Sequence, residues 1–223
     1  MLQAPFTPDM VLDLWFPDTG HQNDPATHAA FWDERMQGGM DARIIADFAD
    51  LTLAAARGQL DHWAETPRGR LALLIALDQF PRSLWRDTPG AFAQDIKATR
   101  LALEGIENGD INQLEPWEQT FFVIAIGHCE GPDHLDRMHR LPPVIDQIIA
   151  GMPECLAPMA DGFRGQHERV CSVLERFGRH PHRNAVLGRI STPEEEAYVA
   201  TGDFPHVRKV EDVVGAKPDS ETN

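Results

Sequence analysis

The residues best suited to chemistry lie between positions 164 and 189. This segment contains six arginines and three histidines against two carboxylates, in a chain whose formal net charge is −15. Guanidinium groups bind carboxylates and phosphates in a bidentate manner, and imidazoles titrate near neutral pH. The segment therefore predicts a site for a small anion, with Arg179, His182, Arg183 and Asn184 as candidate binding residues.

Three further side chains stand out because each lies at the end of an apolar helical face. The apolar periodicity of residues 67–79 leads to Asp78, that of residues 116–129 leads to His128, and that of residues 154–177 starts from His167. A buried charge costs several kcal/mol unless it is paired, so these groups are expected to meet one another or an arginine. We therefore predict a polar pocket on which His128, His167, His182 and Arg183 converge.

Asp78 has a candidate partner in Arg82, which follows Pro81, where the helix is expected to stop. The favoured interpretation of this pair is a structural ion pair that fixes two helices, and the alternative is a contribution to substrate binding. For His128 taken alone, a hydrogen-bonded core histidine is the simpler interpretation.

Other chemistries are weaker at these residues. No HExxH or HxxxH spacing is present, and neighbouring arginines repel cations, so we predict no metal and no cofactor. Ligation of a divalent metal by His128, Glu130, His167 and His182 is the less favoured alternative. A thiolate–imidazole pair of Cys171 with His167, one turn apart, is less favoured than an inert core thiol, because Cys171 adjoins the apolar stripe.

Composition excludes several classes of protein. The longest apolar runs, LALLIAL and FFVIAI, are far shorter than the roughly 20 residues that cross a bilayer, and the amino terminus does not resemble a signal peptide. Three cysteines without a CxxC pair predict reduced thiols, and strong acidity disfavours nucleic acid. We expect a cytoplasmic protein with no membrane or nucleic-acid partner, and the sequence leaves its oligomeric state open.

The elements that must position these residues are all predicted to be helices. Five times a cap residue precedes proline, which is a helix-start signal, at Thr7, Asp24, Thr66, Thr88 and Thr192. Glycines 58, 109 and 178 follow periodic segments and are expected to end helices. The predicted helices span about 8–16, 25–37, 40–57, 67–79, 89–108, 116–129, 132–150, 154–177 and 193–200.

Short connections between these helices predict antiparallel helical hairpins in one all-α domain, residues 1–202, followed by a partly disordered tail, residues 203–223. The common 3.6-residue period predicts one shared core for Trp117, Phe121, Ile124, Val170, Leu174 and Phe177.

Four blocks of sequence resemble the bacterial domain-of-unknown-function family numbered 924. They are VLDLWFP at 11–17, LDQFPRSLWRDTPGAFAQD at 77–95, GHCE at 127–130 and RFGRHPHRNAVLGRISTPEE at 176–195. The resemblance covers about residues 10–200 and implies a tetratricopeptide-like, right-handed helical array with no established activity. The chain matches the family pattern at His128, Glu130, His182, Arg183 and Asn184. It differs from that pattern at Ser83, Gly127, Cys129 and His180.

Two functions fit these residues. In the first, a hydrolase or transferase acts on a small anionic metabolite: His128 is the general base, oriented by Asp78 or Glu130, and arginines hold the anion. In the second, a helical scaffold grips an acidic peptide or protein. The candidate catalytic residues are His128, Glu130 and His167, and the candidate binding residues are Asp78, Arg82, Arg179, His182, Arg183 and Asn184.

Overall fold

The computed structural model describes residues 6–202 and Phe204, and all regular secondary structure within these residues is helical. Short 3₁₀ turns connect several of the α-helices. The α-helices are α1 (Pro8–Trp15), α2 (Pro25–Met36), α3 (Asp41–Asp47), α4 (Ala49–Ala56), α5 (Pro67–Asp78), α6 (Phe80–Leu84), α7 (Asp95–Glu107), α8 (Pro116–His128), α9 (His134–His139), α10 (Pro142–Gly151), α11 (Ala160–Phe177) and α12 (Pro193–Ala200). The predicted tail, residues 203–223, lies outside the described residues except for Phe204.

The helix starts follow the cap–proline signals. Four of the five predicted helix starts are confirmed, and at the fifth, Pro89 begins a 3₁₀ turn and not an α-helix. The side chains of Asp24 and Thr66 accept hydrogen bonds from backbone amides three residues on, at 2.7 and 3.1 Å. Thr192 and Glu195 form the predicted capping box. The predicted helix-ending glycines all have left-handed backbones, with φ of 68° at Gly178.

Four predicted helices are interrupted, and one short helix was not foreseen. The predicted helix over 40–57 breaks at Phe48, and the one over 89–108 begins as an α-helix at Asp95. The predicted helix over 132–150 breaks before Pro142, because proline lacks the amide that would continue the ladder. The segment 154–159 is a 3₁₀ turn containing Pro158. The helical backbone does not stop at Pro81, contrary to the prediction, because Pro81 lies in the first turn of α6, where proline is tolerated.

Helix α5 forms the centre of the molecule. Every residue from Gly69 to Asp78 is buried, so the helix is apolar on nearly all sides except at its ends. It packs against α1, α4, α7 and α8. A helix surrounded in this way needs no polar face, which explains the run LALLIAL. The core therefore lies around α5, and Asp78 ends that core helix.

Helix α8 is the second central element and carries His128 at its last position. It packs against α5, α7, α9 and α10. The carboxyl end of α10 lies beside the start of α8, since a Cβ added at Gly151 would be 3.2 Å from Pro116. At the other end of α8, a Cβ added at Gly127 would be 3.7 Å from the side chain of Met138 in α9.

The predicted core around α8 and α11 is partly confirmed. Phe121 and Leu174 are buried in the main core, and Ile124 and Val170 pack against it. Trp117 and Phe177 do not belong to this cluster. Trp117 lies instead against the ring of His21, and Phe177 against Tyr198. Among the described residues, none of the helices combines the length and the apolar character that crossing a membrane requires.

Candidate functional site

A cavity of about 1220 Å³ lies along one face of α8. On α8 it contacts residues spaced by three and four positions, which is the spacing of one helical face: Thr120, Val123, Ile124, Gly127 and His128. Helices α2, α6, α10 and α11 and the 3₁₀ turn Pro181–Arg183 contribute the other walls. Four residues predicted to converge, namely His128, His167, His182 and Arg183, all line this cavity.

His128 is held by the carboxylate that ends the neighbouring core helix. Its Nδ1 lies 2.9 and 3.0 Å from the two carboxylate oxygens of Asp78, so Nδ1 carries the proton and donates it to Asp78. About a fifth of the His128 side chain is exposed, at 21%, and it lines the cavity. The other ring nitrogen, Nε2, is thereby left unprotonated and available as a base.

The electrostatic surroundings keep His128 neutral and Asp78 ionised. Burial and the positive charge of Arg82 lower the pKa of His128 from its usual value, and Asp78 opposes them only in part. Burial raises the pKa of Asp78, but Arg82 and His128 outweigh burial and lower it to about 2. A neutral imidazole oriented by a carboxylate is the form that accepts a proton.

Asp78 and Arg82 form the predicted ion pair, with their charged atoms 3.3 Å apart. The pair does not stand alone, because Arg82 also lies 2.9 Å from a carboxylate oxygen of Asp95. The second oxygen of Asp95 lies 3.3 Å from Arg183. Two buried carboxylates thus hold two guanidinium groups, and the formal charges of the four side chains cancel.

Arg183 is almost fully buried and only partly satisfied. Its side chain is 5% exposed, and its guanidinium lies over the ring of Phe92 at 4.5 Å. One terminal nitrogen donates to the backbone carbonyl of His128 at 2.7 Å. Its Nε has no hydrogen-bond partner among the described residues. Burial and the nearby Arg82 lower the pKa of Arg183 to about 10, so the carboxylates present do not fully offset the cost of burying its charge.

His182 adds a second unsatisfied polar atom to the same wall. Its Nδ1 is buried without a hydrogen-bond partner in the described part of the chain, and its ring stacks on Phe204 at 5.2 Å. Burial, followed by the charge of Arg183, lowers the pKa of His182 to about 3. His182 is therefore neutral at physiological pH and can offer one N–H or one lone pair to a ligand.

The backbone at the end of α8 is fixed by two other histidines. The Nε2 atoms of His134 and His180 each donate a hydrogen bond to the carbonyl of Gly127, both at 3.1 Å. Burial lowers the pKa of both rings, to about 4 for His134, so both are neutral. His128 therefore projects from a rigid support.

His167 lines the cavity but is engaged elsewhere. Its Nε2 donates to the backbone carbonyl of Met138 at 2.9 Å, and the Sγ of Cys171 lies 3.6 Å from the same nitrogen. Burial raises the pKa of Cys171, which keeps the thiol protonated. The hydrogen bond to Met138 gives His167 a role in holding α11 against α9. Cys171 and His167 do not form a nucleophilic thiolate–imidazole pair.

Four predicted site residues do not line the cavity, and one of them, Asp78, is the buried partner of His128 described above. Arg179 makes a bidentate pair with Glu195, at 2.7 and 2.8 Å, near the start of α12. Glu130 accepts from the backbone amide of His180 at 2.6 Å and pairs with Arg189 at 2.6 Å. Asn184 is buried and donates to Ser191 at 2.9 Å. Their interactions shape the turn that carries His182 and Arg183, so the orienting partner of His128 is Asp78 and not Glu130.

Sequence reasoning missed two residues of the site. Asp95 links both buried arginines, and Phe92 supports the guanidinium of Arg183. The signal for Asp95 was its position at the start of a helix, which is also a common position for a surface carboxylate. No three metal-ligand side chains are grouped anywhere in the described ranges, 6–202 and 204.

The fold and the site together define a class of protein. It is all-helical, and its cavity is bordered by the histidine of an Asp–His pair and by an arginine whose hydrogen bonds are only partly satisfied. The chain matches the family described as "Bacterial protein of unknown function (DUF924)" over residues 11–203. It therefore belongs to this family. No curated protein matches the chain.

The chain is also similar to a solved structure, described as the structure of a protein of unknown function, ATU0120, from Agrobacterium tumefaciens. The two sequences are 31% identical, the match covers 87% of this chain and 97% of that one, and the TM-score is 0.61. This likeness supports the helical fold and says nothing about the reaction.

Proposed function

We propose that the protein is a hydrolase or transferase acting on a small anionic metabolite, with His128 as general base. The observation that carries this proposal is the Asp78–His128 pair, in which the proton on Nδ1 is directed to Asp78 and Nε2 is left for the cavity. A base held in this tautomer can take a proton from a water or a hydroxyl group that attacks the substrate. The substrate anion is held by Arg183, because its carboxylates only partly offset the cost of burying its charge.

The shape of the site favours a small molecule over a peptide. The walls come from elements distributed between α1 and α12, so residues far apart in sequence meet around one space. A tetratricopeptide-like, right-handed arrangement of the hairpins and a cytoplasmic location belong to the same proposal. A scaffold that binds an acidic peptide is the alternative, and no contact of the described residues favours it over the enzyme.

The test compares wild type with His128→Gln and with His139→Gln, a matched control on the surface whose side chain is 54% exposed. Hydrolysis of p-nitrophenyl acetate, p-nitrophenyl butyrate and p-nitrophenyl phosphate is measured from pH 4 to pH 8. We expect turnover to be lost in His128→Gln and retained in His139→Gln. Equal turnover in His128→Gln and wild type would exclude His128 as the base.

The pH profile gives a second test. The pKa of His128 is lowered, so the neutral base persists below its ordinary titration range. Turnover of wild type is expected to stay constant across neutral pH and to fall only when the pH drops below the usual histidine pKa of about 6.5. If turnover already falls above neutral pH as the pH is lowered, the assignment of His128 as the general base is contradicted.

A further inference from the structure

The cavity is larger than a small anion requires. Its volume of about 1220 Å³ exceeds the roughly 300–1,000 Å³ typical of ligand pockets. Other arginines that line the cavity are held in ion pairs, namely Arg35, Arg82 and Arg86. Arg183 and His182 each keep a buried polar atom without a hydrogen-bond partner among the described residues. The remaining space needs an occupant of different chemistry.

The cavity has a polar end and an apolar end, separated along α8. His128 and Arg183 mark the polar end, at the carboxyl end of α8. Ile149 and Met152 also line the cavity, and they flank Gly151, which lies beside Pro116 at the amino end of α8. Twelve residues of α-helix separate Pro116 from His128, a length of about 18 Å.

The apolar end is built from aliphatic and aromatic side chains of four elements. Trp32 of α2 lines it and stacks on Phe121 at 5.3 Å, seven positions before His128. Leu156 lies in the 3₁₀ turn that packs against α2, and Phe163 lies in the first turns of α11. Such a surface binds hydrocarbon and gives a polar tail no hydrogen-bond partners.

The charge balance at the polar end favours a monoanion. The formal charges of Asp78 and Asp95 cancel those of Arg82 and Arg183, so each negative charge that a ligand adds there is uncompensated, and a dianion is disfavoured more strongly than a monoanion. Of the lining residues at the polar end, Arg183 and His182 each have one buried nitrogen without a hydrogen-bond partner among the described residues, Nε and Nδ1 respectively. A carboxylate has two oxygens and one charge, and it suits this pair better than a phosphate does.

We propose that the ligand of this site is a carboxylate with a medium-length hydrocarbon tail, the carboxylate at Arg183 and His182 and the tail directed along α8 toward Met152. This inference rests on the proposed anion-binding function and names the class of its substrate.

The experiment is a chain-length series measured by calorimetry on the full chain. Acetate, hexanoate, octanoate, decanoate and dodecanoate are titrated below their micelle concentrations, with dodecanol as the tail-only control. Each methylene that enters the apolar end contributes about 0.8 kcal/mol, which corresponds to an about fourfold lower Kd. We expect Kd to fall steadily along the series until the tail fills the cavity.

Two kinds of variant separate the head from the tail. Arg183→Gln is expected to weaken dodecanoate at least about tenfold and to leave dodecanol unchanged. His182→Phe serves as a second head variant, because Arg183 also supports the backbone at His128. Gly165 of α11 lines the cavity, and an added Cβ there meets no atom within 4 Å. Because helical side chains point toward the amino end of their helix, the ring of Gly165→Phe is expected to fill the part of the cavity near the start of α11. It is expected to weaken dodecanoate more than hexanoate.

The outcomes distinguish the inference from the function on which it rests. If acetate binding depends on Arg183 but Kd does not change with chain length, the proposed binding of a hydrocarbon tail is wrong, whereas the proposed anion site is retained. Dodecanol binding as tightly as dodecanoate would overturn the carboxylate head and the anion site together. Failure of every alkanoate to bind would do the same.

Discussion

The guanidinium of Arg183 donates a hydrogen bond to the backbone carbonyl of His128 at 2.7 Å, across 55 positions of sequence. The side chain of the same histidine is held by Asp78. His128 is thus fixed through its ring by one helix and through its backbone by the turn after α11. An imidazole restrained at both ends has little freedom to leave the orientation that the proposed role as a general base requires.

Removing the carboxylate of Asp78 is expected to destabilise the protein strongly. Asp78→Ala leaves Arg82 and His128 without their shared partner, and we expect a loss of about 2–5 kcal/mol in the free energy of unfolding. Asp47→Ala is the matched control, since Asp47 pairs with Arg43 at the same four-residue spacing but on the surface. That change should cost less than about 0.5 kcal/mol by urea denaturation. Equal losses would mean that the buried pair contributes no more than a surface pair.

Asp95 is expected to contribute about as much to the free energy of unfolding as Asp78 does, although no sequence pattern indicated this role. Asp95→Ala removes the carboxylate shared by Arg82 and Arg183, which leaves two buried cations close together. We expect a loss of about 3–5 kcal/mol. Added acetate should restore more stability to Asp95→Ala than to wild type in thermal unfolding, because an external anion can replace the missing one. An equal response to acetate would contradict this account.

Two glycines in helices are expected to respond in opposite directions to alanine. Gly165→Ala should stabilise the protein by about 0.5–1 kcal/mol, since its Cβ meets no neighbour and alanine is the better helix former. Gly105→Ala should destabilise it, because the added Cβ would lie 2.6 Å from the ring of Phe122. Chemical denaturation of both variants checks the signs, and a stabilising Gly105→Ala would mean that Phe122 moves away easily.

The start of α12 should make stability depend on pH. Hydrogen bonds from Arg179 and from the amide of Thr192 lower the pKa of Glu195 to about 2. A lowered pKa in the folded state contributes stability that is present above the unfolded value, about 4.5, and is lost as the pH falls toward 2. Glu195→Gln should therefore be less stable than wild type at pH 7, with the difference shrinking below pH 4. Glu194→Gln, on the exposed side, is the control.

The sequence predicted the helix starts and the residues at the ends of apolar faces, because both are local signals. Asp78 and His128 were each placed correctly on an inward face, and the cost of a buried charge predicted that each would meet the other or an arginine, as Asp78 does with both His128 and Arg82. The place of Arg179 could not be predicted in this way, since an arginine in a basic segment has the same local pattern whether it faces a cavity or pairs with Glu195. Asp95 was missed because its partners come from α6 and from the turn after α11.

The burial of α5 sets the order in which parts of the molecule open to solvent. With Gly69 to Asp78 all buried, the amides of this helix can exchange their hydrogens with water only when the whole fold opens. Helix α11 has an exposed face and a cavity beside it, so its amides are expected to exchange through smaller local openings. The carboxylate that holds His128 therefore lies at the end of the helix whose amides are expected to exchange most slowly, whereas α11 on the far side of the cavity is expected to exchange faster.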